Sequence, residues 1–223
     1  MTSPVLISPS ILAADFTCLG DDVARAAEGG CDDFHVDIMD GHFVPNLSFG
    51  PQIVSVMREL TDLPLDVHLM VDNPLDLAPA FARAGATYLT FHYEVVDDVA
   101  EVAGTFRKLG VRPGISVKPD VPVEVLFPHL HLFDIVLVMS VYPGFGGQEF
   151  LADSYERIRR LSAEAQKLAT PPLISVDGGV GVGNVRALAD AGANHLVAGT
   201  AVFKDHGARE NIRRIRKALS QEG

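Results

Sequence analysis

At 223 residues, 48% hydrophobic and 21% charged, the chain has enough apolar side chains to fill a sizeable core and reads as one soluble globular domain over 1–223. A formal net charge of -11 excludes nucleic acid and anionic membrane as main partners, since both demand a basic surface; a phosphorylated metabolite stays admissible, because backbone N–H groups bind phosphate without net positive charge. Cys18 and Cys31 lack metal-type spacing, the opening MTSPVLISPS has no basic n-region, and no apolar run approaches the ~20 residues that span a bilayer, so reduced thiols and a cytoplasmic location are expected.

Taken in order, residues 5–10 form a short apolar run broken by Pro9, and 15–28 follow with helical periodicity, closing on Gly29-Gly30. Strand 34–37 precedes a helix at Pro51–Leu60, and strand Leu65–Met70 precedes a helix at Pro74–Ala84, with Pro at each helix start. Next come strand Tyr88–His92 with helix 97–109, and strand 113–117 with a short, proline-interrupted helix over 123–130. The most apolar strand, Ile135–Met139, leads through a glycine loop to a charged helix at 154–168. Strand Leu173–Asp177 with helix 184–191, and strand His195–Ala198 with helix 209–219, complete eight pairs. Strict β/α alternation with short buried strands means a parallel sheet. Eight units in 223 residues fit a compact single-domain (β/α)₈ barrel, with an open doubly wound sheet as the competing architecture.

In FHVDIM (34–39), residues two apart share a face, so His35, Asp37 and Met39 lie opposite Phe34, Val36 and Ile38. A buried carboxylate needs a partner, which this strand meets either as a structural His–Asp pair or as part of a site. Active sites of such barrels lie at the C-terminal ends of the strands. There the inward residues are Ser10 on the first strand, His35, Asp37 and Met39 on the second, His68 and Met70 on the third, Met139 on the sixth and Asp177 on the seventh. Two imidazoles and two carboxylates form a mixed nitrogen and oxygen set suited to Zn²⁺, Fe²⁺, Mn²⁺ or Co²⁺. Singly, each is as readily a core histidine or a turn aspartate; the three methionines would line the same cavity or simply fill the core. Glycines cluster after the late strands: Gly144, Gly146 and Gly147 around Phe145, then Gly178-Gly179, then Gly199-Thr200. Loops there commonly bind phosphate, although loop glycine is also ordinary turn chemistry.

The stretches SPSILAADF (8–16), HVDIMDGHFVPN (35–46), DVHLM (66–70), MSVYPGFGGQ (139–148), VDGGV (176–180) and VAGTAVF (197–203) together resemble the ribulose-phosphate 3-epimerases of pentose metabolism, end to end. The resemblance implies a barrel that interconverts D-ribulose 5-phosphate and D-xylulose 5-phosphate. It implies one divalent ion, Zn²⁺ or Fe²⁺ before Mn²⁺ or Co²⁺, on His35, Asp37, His68 and Asp177, with Asp37 and Asp177 as the acid/base pair. Ser10 is implied as a substrate hydrogen-bond donor, His68 as a further substrate-binding residue, Met39, Met70 and Met139 as lying beside the reacting carbons, and Gly144–Gly147, Gly178, Gly179, Gly199 and Thr200 on the phosphate. A homo-oligomer is also implied. Inverting C3 of a ketose takes a proton from one face and returns one to the other, so two flanking acid/base groups are needed. Two positions depart from the family's pattern. Tyr142 stands where Asn or an acidic residue is commoner, and Lys118 replaces Asn-Pro after the fifth strand; they read as a residue packed at the rim and a solvated loop charge. Rival readings are a 3-epimerase of a hexulose 6-phosphate such as allulose 6-phosphate and a non-catalytic phosphate- or metal-binding barrel. The lyases of similar fold carry Asp-x-Lys-x-x-Asp on the third strand, where this chain reads DVHLMV without lysine.

Overall fold

A computed structural model describes residues 4–220. The strands are β1 (Leu6–Pro9), β2 (Phe34–Met39), β3 (Leu65–Met70), β4 (Tyr88–His92), β5 (Arg112–Val117), β6 (Ile135–Met139), β7 (Leu173–Asp177) and β8 (His195–Ala198). They form one parallel sheet in the order β1-β8-β7-β6-β5-β4-β3-β2, and a parallel bridge between Ser10 and His35 joins its two ends into a barrel. Outside lie α1 (Leu19–Gly29), α2 (Pro51–Leu60), α3 (Pro74–Ala84), α4 (Val99–Lys108), α5 (Ser154–Ala165), α6 (Val185–Asp190), the short α7 (Thr200–Phe203) and α8 (Ala208–Ser220). The (β/α)₈ expectation is met, and the open sheet is set aside by that closing bridge.

Local chemistry accounts for the small shifts in boundaries. The first helix starts at Leu19, four residues later than its periodicity suggests. Asp15 is engaged in a turn, its carboxylate accepting from the Thr17 N–H and hydroxyl, and its own N–H donates to Asp22. In α4 the Asp98 carboxylate accepts from the N–H groups of Ala100 and Glu101, so the helix begins at Val99. Between β5 and β6 the connection Val123–Leu132 is a 3-10 helix rather than an α-helix, with Pro128 inside it, where proline removes a donor from the α-helical ladder.

Alternation along the strands sorts the molecule into two environments. Phe34, Val36, Ile38, Val67, Leu69, Phe91, Ile115, Val138 and Val176 face the helices and make the main hydrophobic core. The barrel interior is polar: Ser8, His35, Asp66, His68, Thr90, His92, Ser116, Ser175 and His195 are all buried. Such side chains are retained inside only where they find partners. On the floor, His195 Nε2 lies 2.8 Å from Asp33 Oδ2, and Nδ1 lies 2.7 Å from Ser175 Oγ. Space is tight in the middle. A Cβ on Gly114 of β5 would overlap Thr90 and Ile135 of the flanking strands.

Candidate active site

The register of the parallel ladder decides which polar groups meet. Asp37 on β2 pairs with His68 on β3, Met39 with Met70, and Met139 on β6 with Asp177 on β7. Asp37 Oδ1 sits 3.2 Å from His35 Nε2 and 3.3 Å from His68 Nδ1, and Asp37 Oδ2 accepts a 2.6 Å hydrogen bond from Ser10 Oγ. One donor atom each from His35, Asp37, His68 and Asp177 lies within 4.8 Å of all the others. Four residues from three strands thus converge at one level, in a geometry that could hold a metal ion.

Hydrogen bonds and charge orient these groups. His35 Nδ1 lies 2.7 Å from Asp66 Oδ2, so Asp66 accepts from the Nδ1–H and turns Nε2 toward Asp37. Burial opposes charge on both His35 and Asp66, yet the Asp37 and Asp66 carboxylates lift His35 well above the usual histidine range, and His35 in turn holds Asp66 low. Asp37 is also lowered: burial pushes it up, but His35 and His68 outweigh that. Asp177 goes the other way, pushed up to about 6 by burial and then by the negative charge of Asp37. Two imidazole nitrogens and two carboxylates, one of them facing ring nitrogens on two sides, are a donor set for a borderline divalent cation. Asp66 was not foreseen from the sequence. Its signal was there, two residues before His68 and on the same face of β3.

Above these groups opens a cavity of about 630 Å³. Ser10, Asp37, Met39, Met70, Met139 and Asp177 form its floor and walls, and Gly144, Phe145, Gly146, Gly147, Gly178, Gly179, Gly199 and Thr200 its far side. His35 and His68 do not reach the cavity wall; both are fully buried beneath Asp37. Ser10 already spends its hydroxyl proton on Asp37, which leaves its oxygen lone pairs for the cavity. Among the described residues, the N–H groups of Gly146, Gly147, Gly178, Gly179 and Gly199 have no acceptor. Gly178 adopts φ +118°, and a Cβ there would lie 2.9 Å from the backbone nitrogen of Val141, so this turn admits only glycine.

The two departures from the family's pattern find different places. Tyr142 lines the cavity mouth and is half exposed. Lys118 is not a solvated loop charge: its Nζ sits 3.8 Å over the Phe43 ring, and its N–H donates to Glu94.

The fold and site define a barrel enzyme with a His/Asp cluster that could hold a metal ion at the floor of a glycine-lined cavity. The chain belongs to the ribulose-phosphate 3 epimerase family, whose model matches residues 6–203. It is 41% identical over 221 residues to "Ribulose-phosphate 3-epimerase" of Chlamydia muridarum, covering 98% of this chain and 95% of that one. It is 42% identical to the protein so named from Bacillus subtilis, over 95% of this chain and 98% of the relative, and 46% identical to that of Mycobacterium bovis, over 91% and 87%. Among solved structures, KGPDC from Streptococcus mutans superposes with a TM-score of 0.70 at 12% identity, covering 97% of each chain. A 3-hexulose-6-phosphate synthase gives 0.66 at 19% identity, over 99% of this chain and all of the other; at such identities the likeness is one of fold alone. No described helix is long and apolar enough to cross a membrane.

Proposed function

We propose that this chain, acting over 1–223 as one catalytic domain, is a ribulose-phosphate 3-epimerase that reversibly interconverts D-ribulose 5-phosphate and D-xylulose 5-phosphate. The observation that carries the reading is the placement of two carboxylates, Asp37 from β2 and Asp177 from β7, at the end of a cavity whose other side is bare glycine backbone. The unpaired N–H groups of Gly146, Gly147, Gly178, Gly179 and Gly199 suit the phosphate, with Gly144, Phe145 and Thr200 shaping its cradle. That seat leaves the sugar carbons over Asp37 and Asp177.

One carboxylate removes the C3 proton and the other returns a proton to the opposite face of the planar enediolate; in the reverse direction the roles exchange. Their environments are unequal: Asp37 is held ionised, and Asp177, raised to about 6, is the readier of the two to carry a proton. A divalent ion on His35, Asp37, His68 and Asp177, Zn²⁺ or Fe²⁺ ahead of Mn²⁺ or Co²⁺, supplies Lewis-acid stabilisation of negative charge when bound. Ser10 holds the Asp37 carboxylate by its hydroxyl and accepts from a substrate hydroxyl. Met39, Met70 and Met139 fill the walls around the reacting carbons without offering competing protons, which keeps water out. Free thiols at Cys18 and Cys31 suit the reducing cytoplasm, where we place the enzyme as a homo-oligomer.

The test is proton NMR of metal-loaded protein with D-ribulose 5-phosphate in D₂O. The expected product is xylulose 5-phosphate carrying deuterium at C3. Absence of both epimer and exchange with each of the four metals would move the assignment to a hexulose 6-phosphate, and failure there too would leave a catalytically silent barrel.

A further inference from the structure

Behind His68 runs a chain of polar contacts that the acid/base chemistry does not use. His68 Nε2, the nitrogen turned away from Asp37, lies 2.9 Å from His92 Nε2, and His92 Nδ1 lies 3.2 Å from Glu94 Oε2. Glu94 is anchored at its other oxygen by the Lys118 N–H at 2.7 Å. Both imidazoles are fully buried, their centroids 5.0 Å apart. The outer face of His92 is covered by the Phe43 ring at 4.5 Å, which in turn lies under the Lys118 ammonium.

A contact between two ring nitrogens needs one proton, and the direction of that proton is fixed from the far end. The Glu94 carboxylate can only accept, so His92 carries its proton on Nδ1 and presents a lone pair at Nε2. His68 must then be the donor, protonated at Nε2, which makes Nδ1, 3.3 Å from Asp37 Oδ1, the nitrogen that can share a cation with that carboxylate. We propose that Glu94 and His92 are positioning residues that lock His68 into the Nε2-protonated tautomer, so that Nδ1 is permanently available to a divalent cation. The relay mirrors the Asp66 contact that orients His35, but is longer by one ring. It also accounts for Lys118, whose backbone pins Glu94 and whose side chain closes the stack over His92. The inference rests on the reading of His68 as a metal ligand.

The test uses the full chain and Zn²⁺ alone, with affinity read by competition against a chromophoric chelator and the His68 tautomer by ¹⁵N shifts of the metal-free protein. Wild type should show His68 protonated at Nε2. His92→Phe keeps a ring in the stack but offers no acceptor; it should bind Zn²⁺ about 10–100-fold more weakly and populate both His68 tautomers. His92→Gln, whose amide oxygen can accept from His68, should recover most of the affinity. Glu94→Ala leaves both rings in place, should weaken binding in the same direction, and carries the test if His92→Phe does not fold. Wild-type affinity with an unchanged tautomer in the variants overturns the relay. Failure of the wild-type protein to bind Zn²⁺ at all overturns the ligand reading of His68, and the relay with it.

Discussion

Asp37 and Asp177 are the same side chain in two environments. Asp37 accepts from the Ser10 hydroxyl and lies beside the raised imidazole of His35, both of which favour its charge. Asp177 meets no such donors, and burial together with the Asp37 charge raises it to about 6. Replacing it by Asn preserves volume while removing the exchangeable carboxyl proton. Asp177→Asn is therefore expected to keep the wild-type melting profile and to lower turnover by about 10²–10⁴-fold. Near-normal turnover at normal metal content would exclude Asp177 as an acid/base group. At this scale His35, Asp37 and Asp177 were legible from alternation and from their position at strand ends. Asp66, His92 and Glu94 were not, because their importance lies in whose nitrogen they face, and a side chain's neighbour on another strand is set by register rather than by its own sequence.

The strands and helices follow their sequence periods closely, since the apolar period is a local property. β3, β4, β6, β7 and β8 keep the expected limits, while helix starts move wherever a side chain competes for backbone donors, as Asp15 and Asp98 do. Packing between elements sets stricter limits than the pattern does. Gly114 lies between Thr90 of β4 and Ile135 of β6, both β-branched and stiff, so an added methyl has nowhere to go. Gly114→Ala should destabilise the barrel by ~1–3 kcal/mol, read as a lower urea midpoint at constant slope. An unchanged midpoint would mean that the strands can separate locally at no cost.

The whole molecule is held by contacts between distant parts of the chain, among them the floor pair of His195 and Asp33, 162 residues apart in sequence. Burial alone would lower His195, but Asp33, and Asp66 beyond it, raise it above the ordinary histidine value. A group raised on folding stabilises most fully below its unfolded value, about 6.5, and loses that contribution as pH rises through the folded value. The stability gap between wild type and His195→Gln should therefore be widest in mild acid and narrow as the solution becomes alkaline, measured by urea unfolding across that range. A gap independent of pH would show that His195 contributes by neutral hydrogen bonding alone. The amino-acid sequence by itself determined the eight-fold β/α alternation, the polar face of β2 and the glycine loops, because periodicity and turn chemistry act over a few residues. Only the tertiary structure decided that β1 closes on β2 through Ser10 and His35, that Asp37 stands between two imidazoles, and that Glu94 reaches His68 through His92. Those are consequences of strand register and barrel closure, which bring together residues that no local pattern relates.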